Sequence, residues 1–360
     1  MTMRIAYVIN SLEGGGASSP VPAIANLIRT EGAEVRILAL TPRDLLGLPA
    51  MHAAGLDVVV RNGEERDHLE AYRWLDRAIA DWEATHIWTS LTRATLIGQM
   101  VGLRRFKPVI SWQHAAYLKP ANLRLLRATQ RLSKLWIGDS ECVTELTAER
   151  LRVGPDRLMS WPIFSVDPAA LPAAPWIAGQ PIRVGSLGRL HPVKGYDILL
   201  NALAILKAAG FRSAPFEIII GGEGHARPAL EAAIRGYGLD NVSLPGFVES
   251  PGRFLAGVHL YVQPSRSEGF CIATHEAMQA GIGVVASAVG EMQHSVDVLC
   301  GLTVPPENPQ ALANALAKVL RYPEMLEQLG QAAKRRVRAR FGAEAFARRG
   351  REVLQKINSW

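Results

Sequence analysis

Short apolar segments alternate with segments of helical periodicity along almost the whole chain. This alternation predicts parallel sheets flanked by helices, because consecutive parallel strands need a crossover between them. At 360 residues the chain exceeds one ordinary core, so two domains of roughly 150–200 residues are expected. Strands are predicted at residues 4–9, 34–40, 57–60, 86–89, 108–112 and 135–138 in the first half, and at residues 182–187, 216–220, 242–244, 258–262 and 283–287 in the second.

A Pro- and Ala-rich stretch separates the two halves. It interrupts the alternation and favours an interdomain linker at residues 171–181. The expected fold class is α/β, with two doubly wound, Rossmann-like domains facing across a cleft. These domains are residues 1–170 and 182–342, and residues 343–360 form a last helical segment. In such sheets ligands bind beyond the carboxyl ends of the strands.

Composition restricts the class of protein. An apolar content of 48% with 20% charged residues is typical of a folded globular chain. No apolar run approaches the roughly 18–20 residues that span a bilayer, and the first residues lack a signal-peptide cleavage pattern. Three cysteines without metal-type spacing, Cys142, Cys271 and Cys300, suit a reducing compartment, so a cytoplasmic location is expected. There is no Asp-x-Asp, His-x-x-x-His or Cys-x-x-Cys motif, so no metal is expected.

The net charge of +7 favours phosphates, acidic membranes or nucleic acid as partners. No nucleic-acid-binding motif is present, so no nucleic-acid partner is expected. A predicted helix carries basic residues on one face, beside several leucines: Arg124, Arg127, Arg131 and Lys134. This face is either an interfacial surface for anionic lipid or, as favoured, the solvated face of a core-packed helix. A second basic cluster, residues 334–340, is expected on a helix exterior.

Two glutamates, Glu268 and Glu276, stand eight residues apart across a strand end, a Gly-containing loop and a predicted helix at 271–280. The start of such a helix points backbone N–H groups at an anion. With a carboxylate at each end of the turn, the site suits a phosphate and a polyol together, as in a nucleotide sugar. Two surface glutamates on an amphipathic helix are the alternative.

A Gly-bounded loop at residues 188–195 follows the strand at 182–187 and carries two cations, Arg189 and Lys194. Two fixed cations five residues apart repel one another, so an anionic ligand between them would explain the arrangement. A diphosphate fits, because Arg can bind two oxygens and Lys supplies a point charge. Both would stabilise a departing nucleoside diphosphate electrostatically. The alternative is two solvated surface cations.

Three further strand-end loops carry candidate residues. Gly222 marks a close backbone approach to a ligand or a tight turn. Phe247 and Val248 either hold a flat base or form a turn with a core Phe. In the first half, three glycines at residues 14–16 suggest a close approach to the backbone, and His114 follows a strand end as a functional or a structural histidine.

Together these motifs resemble the GT-B retaining glycosyltransferases of family four, the glycosyl transferases group 1. The resemblance covers the second half closely and the first half more loosely, through the Gly-rich loop, His114 and Gly138-Asp139-Ser140-Glu141. In the second half it is carried by Gly188-Arg189-Leu190…Lys194-Gly195, Gly222-Glu223-Gly224, residues 244–248 and Glu268-Gly269-Phe270…Glu276-Ala277-Met278-Gln279-Ala280-Gly281.

The resemblance implies roles for individual residues. Arg189 and Lys194 match positions that bind the donor diphosphate. Glu276 matches the glutamate that holds the nucleotide ribose, and Glu268 the one that contacts hydroxyls of the donor sugar. The remaining matches are the backbone amides of Gly269, Phe270 and Cys271 beside the donor, Gly15 and Gly16 near donor and acceptor, and His114 at the transferred sugar.

The resemblance also implies an activity. It is metal-independent transfer of a sugar from a UDP-, GDP- or ADP-sugar, with no separate cofactor, to a glycan or glycolipid in polysaccharide or lipopolysaccharide synthesis. Anomeric configuration is retained, the donor phosphate takes the acceptor proton, and the final helix crosses back to the first domain. Contact with the inner face of the membrane would be peripheral. A catalytically silent nucleotide-binding subunit, or a GT-B phosphorylase or epimerase, stays open as an alternative.

Four departures from the family pattern bear on donor-sugar and acceptor preference and leave the diphosphate residues intact. Cys271 stands where glycine is usual, and Gly283 where a proline is common. Gly290-Glu291 replaces a frequent Gly-Gly, and the first Gly-rich loop lacks the usual Ala-Glu.

Overall fold

The computed structural model describes residues 2–13, 16–114 and 117–360. The chain forms two compact units: unit 1 is Met1–Ser165 with Glu344–Trp360, and unit 2 is Val166–Ala343. Each unit is built on one parallel sheet whose strands alternate with helices, which confirms the predicted α/β class of two doubly wound domains.

The sheet of unit 1 has seven strands in the order β3-β2-β1-β4-β5-β6-β7. Because β1 pairs with both β2 and β4, the winding direction reverses between β1 and β4, where ligands bind in such folds. Sequence analysis missed β7, a three-residue strand at the sheet edge. The strands are β1 Arg4–Ile9, β2 Glu34–Ala39, β3 Asp57–Val60, β4 His86–Ser90, β5 Val109–Gln113, β6 Leu135–Gly138 and β7 Leu158–Ser160; the helices are α1 Val21–Thr30, α2 Leu48–Ala53, α3 His68–Asp81, α4 Thr92–Arg105, α5 Pro120–Thr129 and α6 Glu141–Leu151.

The sheet of unit 2 has six strands in the order β10-β9-β8-β11-β12-β13. Its reversal lies between β8 and β11, so the loops after these two strands are neighbours. Sequence analysis missed β13, which is only four residues long. The strands are β8 Ile182–Leu187, β9 Phe216–Gly221, β10 Val242–Gly246, β11 Leu260–Gln263, β12 Gly283–Ser287 and β13 Gly301–Val304; the helices are α7 Tyr196–Ala208, α8 Arg227–Tyr237, α9 Pro251–Ala256, α10 Ile272–Ala280, α11 Met292–Ser295, α12 Pro309–Arg321 and α13 Met325–Phe341.

The stretch predicted as a linker is hydrogen-bonded within unit 2. The amide of Ala173 donates to the carbonyl of Ala280 at 2.8 Å, and that of Ala174 donates to Ala256 at 2.9 Å. These bonds tie the stretch to the ends of α10 and α9.

Aromatic side chains fill one part of the core of unit 1. Trp88 and Trp112 stand on neighbouring strands, and both contact Trp161 beyond β7, with ring centroids 6.0 and 5.0 Å away. The last helix, α14 (Ala343–Asn358), packs on this cluster through Phe346, 5.4 Å from the Trp161 ring. Among the described helices, none is long and apolar enough to cross a bilayer.

Candidate functional site

The loop after β8 is shaped by glycines at close backbone approaches. Gly195 ends a short 3-10 turn, Pro192–Lys194, with φ +66° and begins α7. A Cβ at Gly195 would overlap the carbonyl oxygen of Pro264 in the loop after β11. The two loops are therefore packed backbone to backbone, which fixes where Lys194 stands.

Lys194 and Glu268 form an ion pair between these loops. Lys194 Nζ lies 2.7 Å from Glu268 Oε1, and the two side chains are only 20% and 10% exposed. Burial alone lowers the pKa of Lys194, but the charge and hydrogen bond of Glu268 outweigh it, so that pKa is raised above its ordinary value. The lysine is held protonated in a partly desolvated site.

The Arg189 side chain is exposed on the same loop and forms no hydrogen bond or ion pair with the residues that the structure describes. The two predicted cations thus differ: Glu268 already neutralises Lys194, whereas the guanidinium of Arg189 has no charged partner among the described residues.

Glu268 is also held by residues that sequence analysis missed. Ser265 Oγ donates to Glu268 Oε1 at 2.6 Å, and Gln263 Nε2 donates to Ser265 Oγ at 2.8 Å. Tyr261 OH donates to Gln263 Oε1 at 2.9 Å. A signal was present, because these three polar residues alternate with Leu260, Val262 and Pro264, and period-two alternation places them on one side of a strand.

Arg266 is a second residue that sequence analysis missed. Its guanidinium binds both carboxylate oxygens of Asp197, at 2.7 and 2.6 Å, and the carbonyl of Pro192 at 2.6 Å. The Arg266 hydrogen bonds hold the pKa of Asp197 below its usual range, although burial opposes them. Arg266 therefore clamps the loop after β11 to the loop after β8.

The turn from Glu268 into α10 passes through Cys271, a residue in left-handed conformation at φ +64°. Phe270 and Cys271 are buried, and Phe270 packs on the ring of His275 with centroids 4.1 Å apart. A Cβ at Gly290 would overlap the carbonyl oxygen of Gly269, so this glycine is required where the chain passes the turn.

Glu276 lies on α10, half-buried, and no described residue donates to its carboxylate or forms an ion pair with it. Burial raises the pKa of Glu276 above its ordinary value. A desolvated carboxylate without a partner gains most from hydroxyl donors of a ligand, such as the two hydroxyls of a ribose.

Glu291, one of the departures from the family pattern, is buried and paired. Its amide donates to the carbonyl of Gly269 at 2.8 Å, and Arg340 Nη2 lies 2.6 Å from its Oε1. The expectation that residues 334–340 lie on a helix exterior is therefore wrong for Arg340. It is also wrong for Arg336, whose guanidinium donates to the carbonyls of Ser295 and His294. Long arginine side chains reach inward from half-exposed positions.

The loop after β9 packs against the loop after β8. A Cβ at Gly222, φ +142°, would overlap the carbonyl oxygen of Gly188, and a Cβ at Gly224 would overlap that of Leu190. The glycines at 222 and 224 thus serve an approach between two loops of the protein.

Phe247 and Val248 follow β10 and differ in exposure. Phe247 is 61% exposed, and Val248 packs against the backbone of Gly221. The core-Phe alternative is wrong, and an exposed aromatic ring at this edge of the sheet is available to a flat ligand.

In unit 1, His114 is held by two residues at neighbouring strand ends. Its Nε2 lies 2.7 Å from Ser90 Oγ, and its Nδ1 lies 3.4 Å from Asp139 Oδ2. Burial raises the pKa of Asp139, and His114 partly offsets this. The imidazole is 7% exposed and stacks on Trp112. Gly16 is exposed, and Gly15 lies outside the described residues.

In the described ranges of the chain, no three His, Cys, Asp or Glu side chains come together in a group that could hold a metal ion.

Residues 171–336 match the family described as glycosyl transferases group 1, and this segment contains all the candidate residues of unit 2. This segment is just under half of the chain and is similar to the glycosyl transferases group 1 family.

Two relatives of this chain are matched over part of their length. A D-inositol 3-phosphate glycosyltransferase of Streptomyces griseus is 33% identical over 156 residues, 41% of this chain and 33% of the relative. The amylovoran biosynthesis glycosyltransferase AmsK of Erwinia amylovora is 30% identical over 191 residues, 49% of this chain and 46% of the relative. The matched segments thus span less than half of either relative.

A solved structure covers nearly the whole chain. The Anabaena protein HepE, in complex with UDP-glucose, superposes with a TM-score of 0.84 at 19% identity, over 98% of this chain and all of that one. The chain therefore has the GT-B fold of that protein.

Proposed function

We propose that this chain is a retaining glycosyltransferase that moves a sugar from a nucleoside-diphosphate sugar to a glycan or glycolipid acceptor. One observation carries the proposal. The strand ends of unit 2 bring together the Lys194–Glu268 pair, the unpaired Arg189 and the unpaired carboxylate of Glu276. The relatives are glycosyltransferases, which supports transfer of a sugar, and the UDP-glucose complex of HepE supports a UDP-sugar as the first donor to test.

The cations supply the leaving-group chemistry. Arg189 binds two oxygens of the donor diphosphate with its planar guanidinium. One N–H of the Lys194 ammonium donates to Glu268, and its two other N–H groups can donate to the phosphates. Charge that develops on the departing diphosphate meets these preorganised donors, a contribution of about 10²–10³ in rate per donor.

Glu268 contacts the donor sugar and does not act as a base. Its Oε1 already accepts hydrogen bonds from Lys194 and Ser265, so that oxygen is committed to holding the carboxylate in place. In the proposed mechanism the donor phosphate therefore takes the acceptor proton, on the face that the leaving group vacates, and configuration is retained. The N–H donors of Arg189 and Lys194 stabilise the diphosphate in this proposal, and no metal is expected to be needed.

The test begins with UDP-, GDP- and ADP-sugars, scored for slow hydrolysis and for transfer. Lys194→Ala and Glu268→Ala are expected to lower kcat by about 100-fold or more, with unchanged circular dichroism. Lys318→Ala, an exposed lysine on α12, is the matched control and keeps full activity. Full activity in either site variant contradicts the assignment.

Two further readouts examine the finer parts of the proposal. The anomeric configuration of the product, determined by NMR, is expected to equal that of the donor. Addition of a chelator is expected to leave the rate unchanged. UDP binding without hydrolysis or transfer from any donor would favour a catalytically silent subunit.

We also propose a peripheral contact with anionic membranes, through a surface of α4 and α5. Leu126 of α5 is buried in the core, while Arg124 and Arg131 beside it are exposed. On the neighbouring α4, Leu103 is 58% and Phe106, which follows the helix, 93% exposed. Apolar side chains flanked by cations suit a bilayer of anionic lipid.

Sedimentation with phosphatidylcholine vesicles, with and without phosphatidylglycerol, tests this contact. The double variant Arg124→Glu/Arg131→Glu is expected to lose the phosphatidylglycerol-dependent binding. Arg335→Glu/Arg338→Glu changes the net charge equally at exposed positions of α13 and is expected to retain it. Equal losses in both double variants would mean that net charge alone drives binding.

A further inference from the structure

We propose that Gln263 and Ser265 are positioning residues, which aim the Glu268 carboxylate at the donor sugar. The inference rests on the proposed function, because it assigns Glu268 to the sugar. It concerns residues that contact neither phosphate nor sugar in that mechanism.

A continuous hydrogen-bond chain runs from the backbone of β8 to Glu268. The amide of Leu187 donates to Tyr261 OH at 3.1 Å, and Tyr261 OH donates to Gln263 Oε1 at 2.9 Å. Gln263 Nε2 donates to Ser265 Oγ at 2.8 Å, and Ser265 Oγ donates to Glu268 Oε1 at 2.6 Å.

The chain is dry. Tyr261, Gln263 and Ser265 are fully buried, so water does not compete for these hydrogen bonds. Buried polar groups that lose a partner cannot find another, so a fully satisfied chain specifies one arrangement of its members.

The Tyr261 hydroxyl also lies 3.3 Å from the carbonyl oxygen of Leu187, but from Gln263 onward every donor points toward the carboxylate. Because the amide of Gln263 donates to Ser265 Oγ, the one hydroxyl proton of Ser265 is left for Glu268. The chain thus ends on an anion, and each hydrogen bond polarises the next in the same sense.

One oxygen of Glu268 is fully used as a result. Oε1 accepts from Ser265 and Lys194, whereas none of the described residues donates to Oε2. With Oε1 fixed at two points, the carboxylate plane is fixed as well, and Oε2 is the oxygen presented to a sugar hydroxyl. This hydrogen-bond chain begins at Leu187, the last residue of β8, directly before the loop that carries Arg189. The position of the Glu268 carboxylate is therefore fixed relative to that loop.

The experiment separates sugar recognition from nucleotide recognition. Calorimetry with UDP and with UDP-glucose, and kcat/KM with UDP-glucose, are measured for Ser265→Ala and Gln263→Met. UDP affinity is expected to stay within about twofold, while the affinity gained on adding the glucose and kcat/KM both fall about tenfold. Ser265→Cys keeps a weak donor and is expected to lie between wild type and Ser265→Ala.

Ser111→Ala is the matched control, because Ser111 is a fully buried serine in unit 1 with hydroxyl partners Thr89 and Ser133 at 2.9 and 2.7 Å. It removes an equivalent buried hydroxyl and is expected to leave both affinities unchanged. Parallel losses of UDP and UDP-glucose affinity in Ser265→Ala, or no loss of either, overturn the inference. Absence of turnover in the wild-type protein would instead contradict the proposed function, and the calorimetric comparison would still decide the positioning role.

Discussion

At the scale of single residues, Cys271 shows how a departure from the family pattern is accommodated. The backbone keeps the left-handed conformation, φ +64°, that explains why glycine is usual there. Burial, with the nearby Glu268 charge, raises the pKa of the Cys271 thiol to about 12, so the thiol is neutral. Its Sγ lies 3.2 Å from Thr274 Oγ1 in the first turn of α10. The residue is therefore a packed part of the turn.

Substitutions at Cys271 test the backbone strain. Cys271→Gly and Cys271→Ala both remove the thiol, but only glycine relieves the positive φ. Cys271→Gly is expected to be more stable than Cys271→Ala by about 1 kcal/mol, the reverse of the usual order of these residues. Urea denaturation of the two variants gives the difference, and a more stable alanine variant would contradict it.

His275 makes stability depend on pH. Burial lowers the pKa of this histidine to about 4, with a further lowering from Arg340, although its hydrogen bond to the Cys271 carbonyl opposes this. The folded pKa lies below the unfolded one of about 6.5, so the unfolded state binds the extra proton as the pH falls. The stability that neutral His275 contributes is present above about pH 6.5 and is lost toward about pH 4.

The loss is expected to be on the order of 2 kcal/mol of unfolding free energy between about pH 7 and about pH 4.5. His275→Gln, which does not titrate, is expected to show a shallower dependence over this interval. His259, whose pKa burial also lowers to about 4, is present in both proteins and cancels in the comparison. Identical pH profiles would show that His275 is not the titrating group.

At the scale of elements, the site is two loops held in register by backbone contact. Gly195 lies under the carbonyl of Pro264, and Arg266 links the same loops through Asp197. Lys194 and Glu268 meet because these loops cannot slide past each other. Sequence analysis named both charged residues, but their pairing needed the β8–β11 adjacency, which joins residues 74 positions apart.

Gly195→Ala tests this packing against Gly210→Ala. Both glycines have positive φ, +66° and +60°, but a Cβ at Gly210 meets nothing within 4 Å. Gly210→Ala is expected to cost about 1 kcal/mol for the backbone conformation alone. Gly195→Ala is expected to cost at least about 2 kcal/mol more and to weaken UDP binding. Equal denaturation midpoints for Gly195→Ala and Gly210→Ala would show that the two loops can move apart to accommodate the added Cβ.

At the scale of the molecule, the chain returns to unit 1 through α14, and Gly350 of this helix allows it to pack closely there. A Cβ at Gly350 would overlap Leu27 of α1 and the ring of Trp161. This position joins the aromatic core to the last helix. The local sequence does not predict this close packing, because a glycine within a helix is otherwise expected only to destabilise the helix.

Gly350→Ala and Gly236→Ala are expected to change stability in opposite directions. Gly236 lies on α8 in open space, so alanine there gains helix propensity and stabilises by up to about 1 kcal/mol. Gly350→Ala is expected to destabilise by about 1–3 kcal/mol because the core is overpacked. Thermal unfolding followed by tryptophan fluorescence measures both, and a stabilised Gly350 variant would contradict the packing.

Local and periodic features followed from the sequence alone: the alternation of strands and helices, the strand-end positions of Arg189, Lys194, Glu268 and Glu276, and the family resemblance. Each of these features depends on residues close together in the chain, because local periodicity predicts the type of secondary structure. Short edge strands such as β7 and β13 escaped, because three or four residues carry too little pattern.

Which side chains meet depended on the folded arrangement of the strands and loops. It neutralised Lys194 with Glu268 and left Arg189 free, and it turned Arg340 inward to Glu291. It also placed Gln263 and Ser265 behind the carboxylate. These outcomes depend on strand order and on the space between loops, since a charge or hydroxyl takes its partner from whatever group folding brings within about 3 Å.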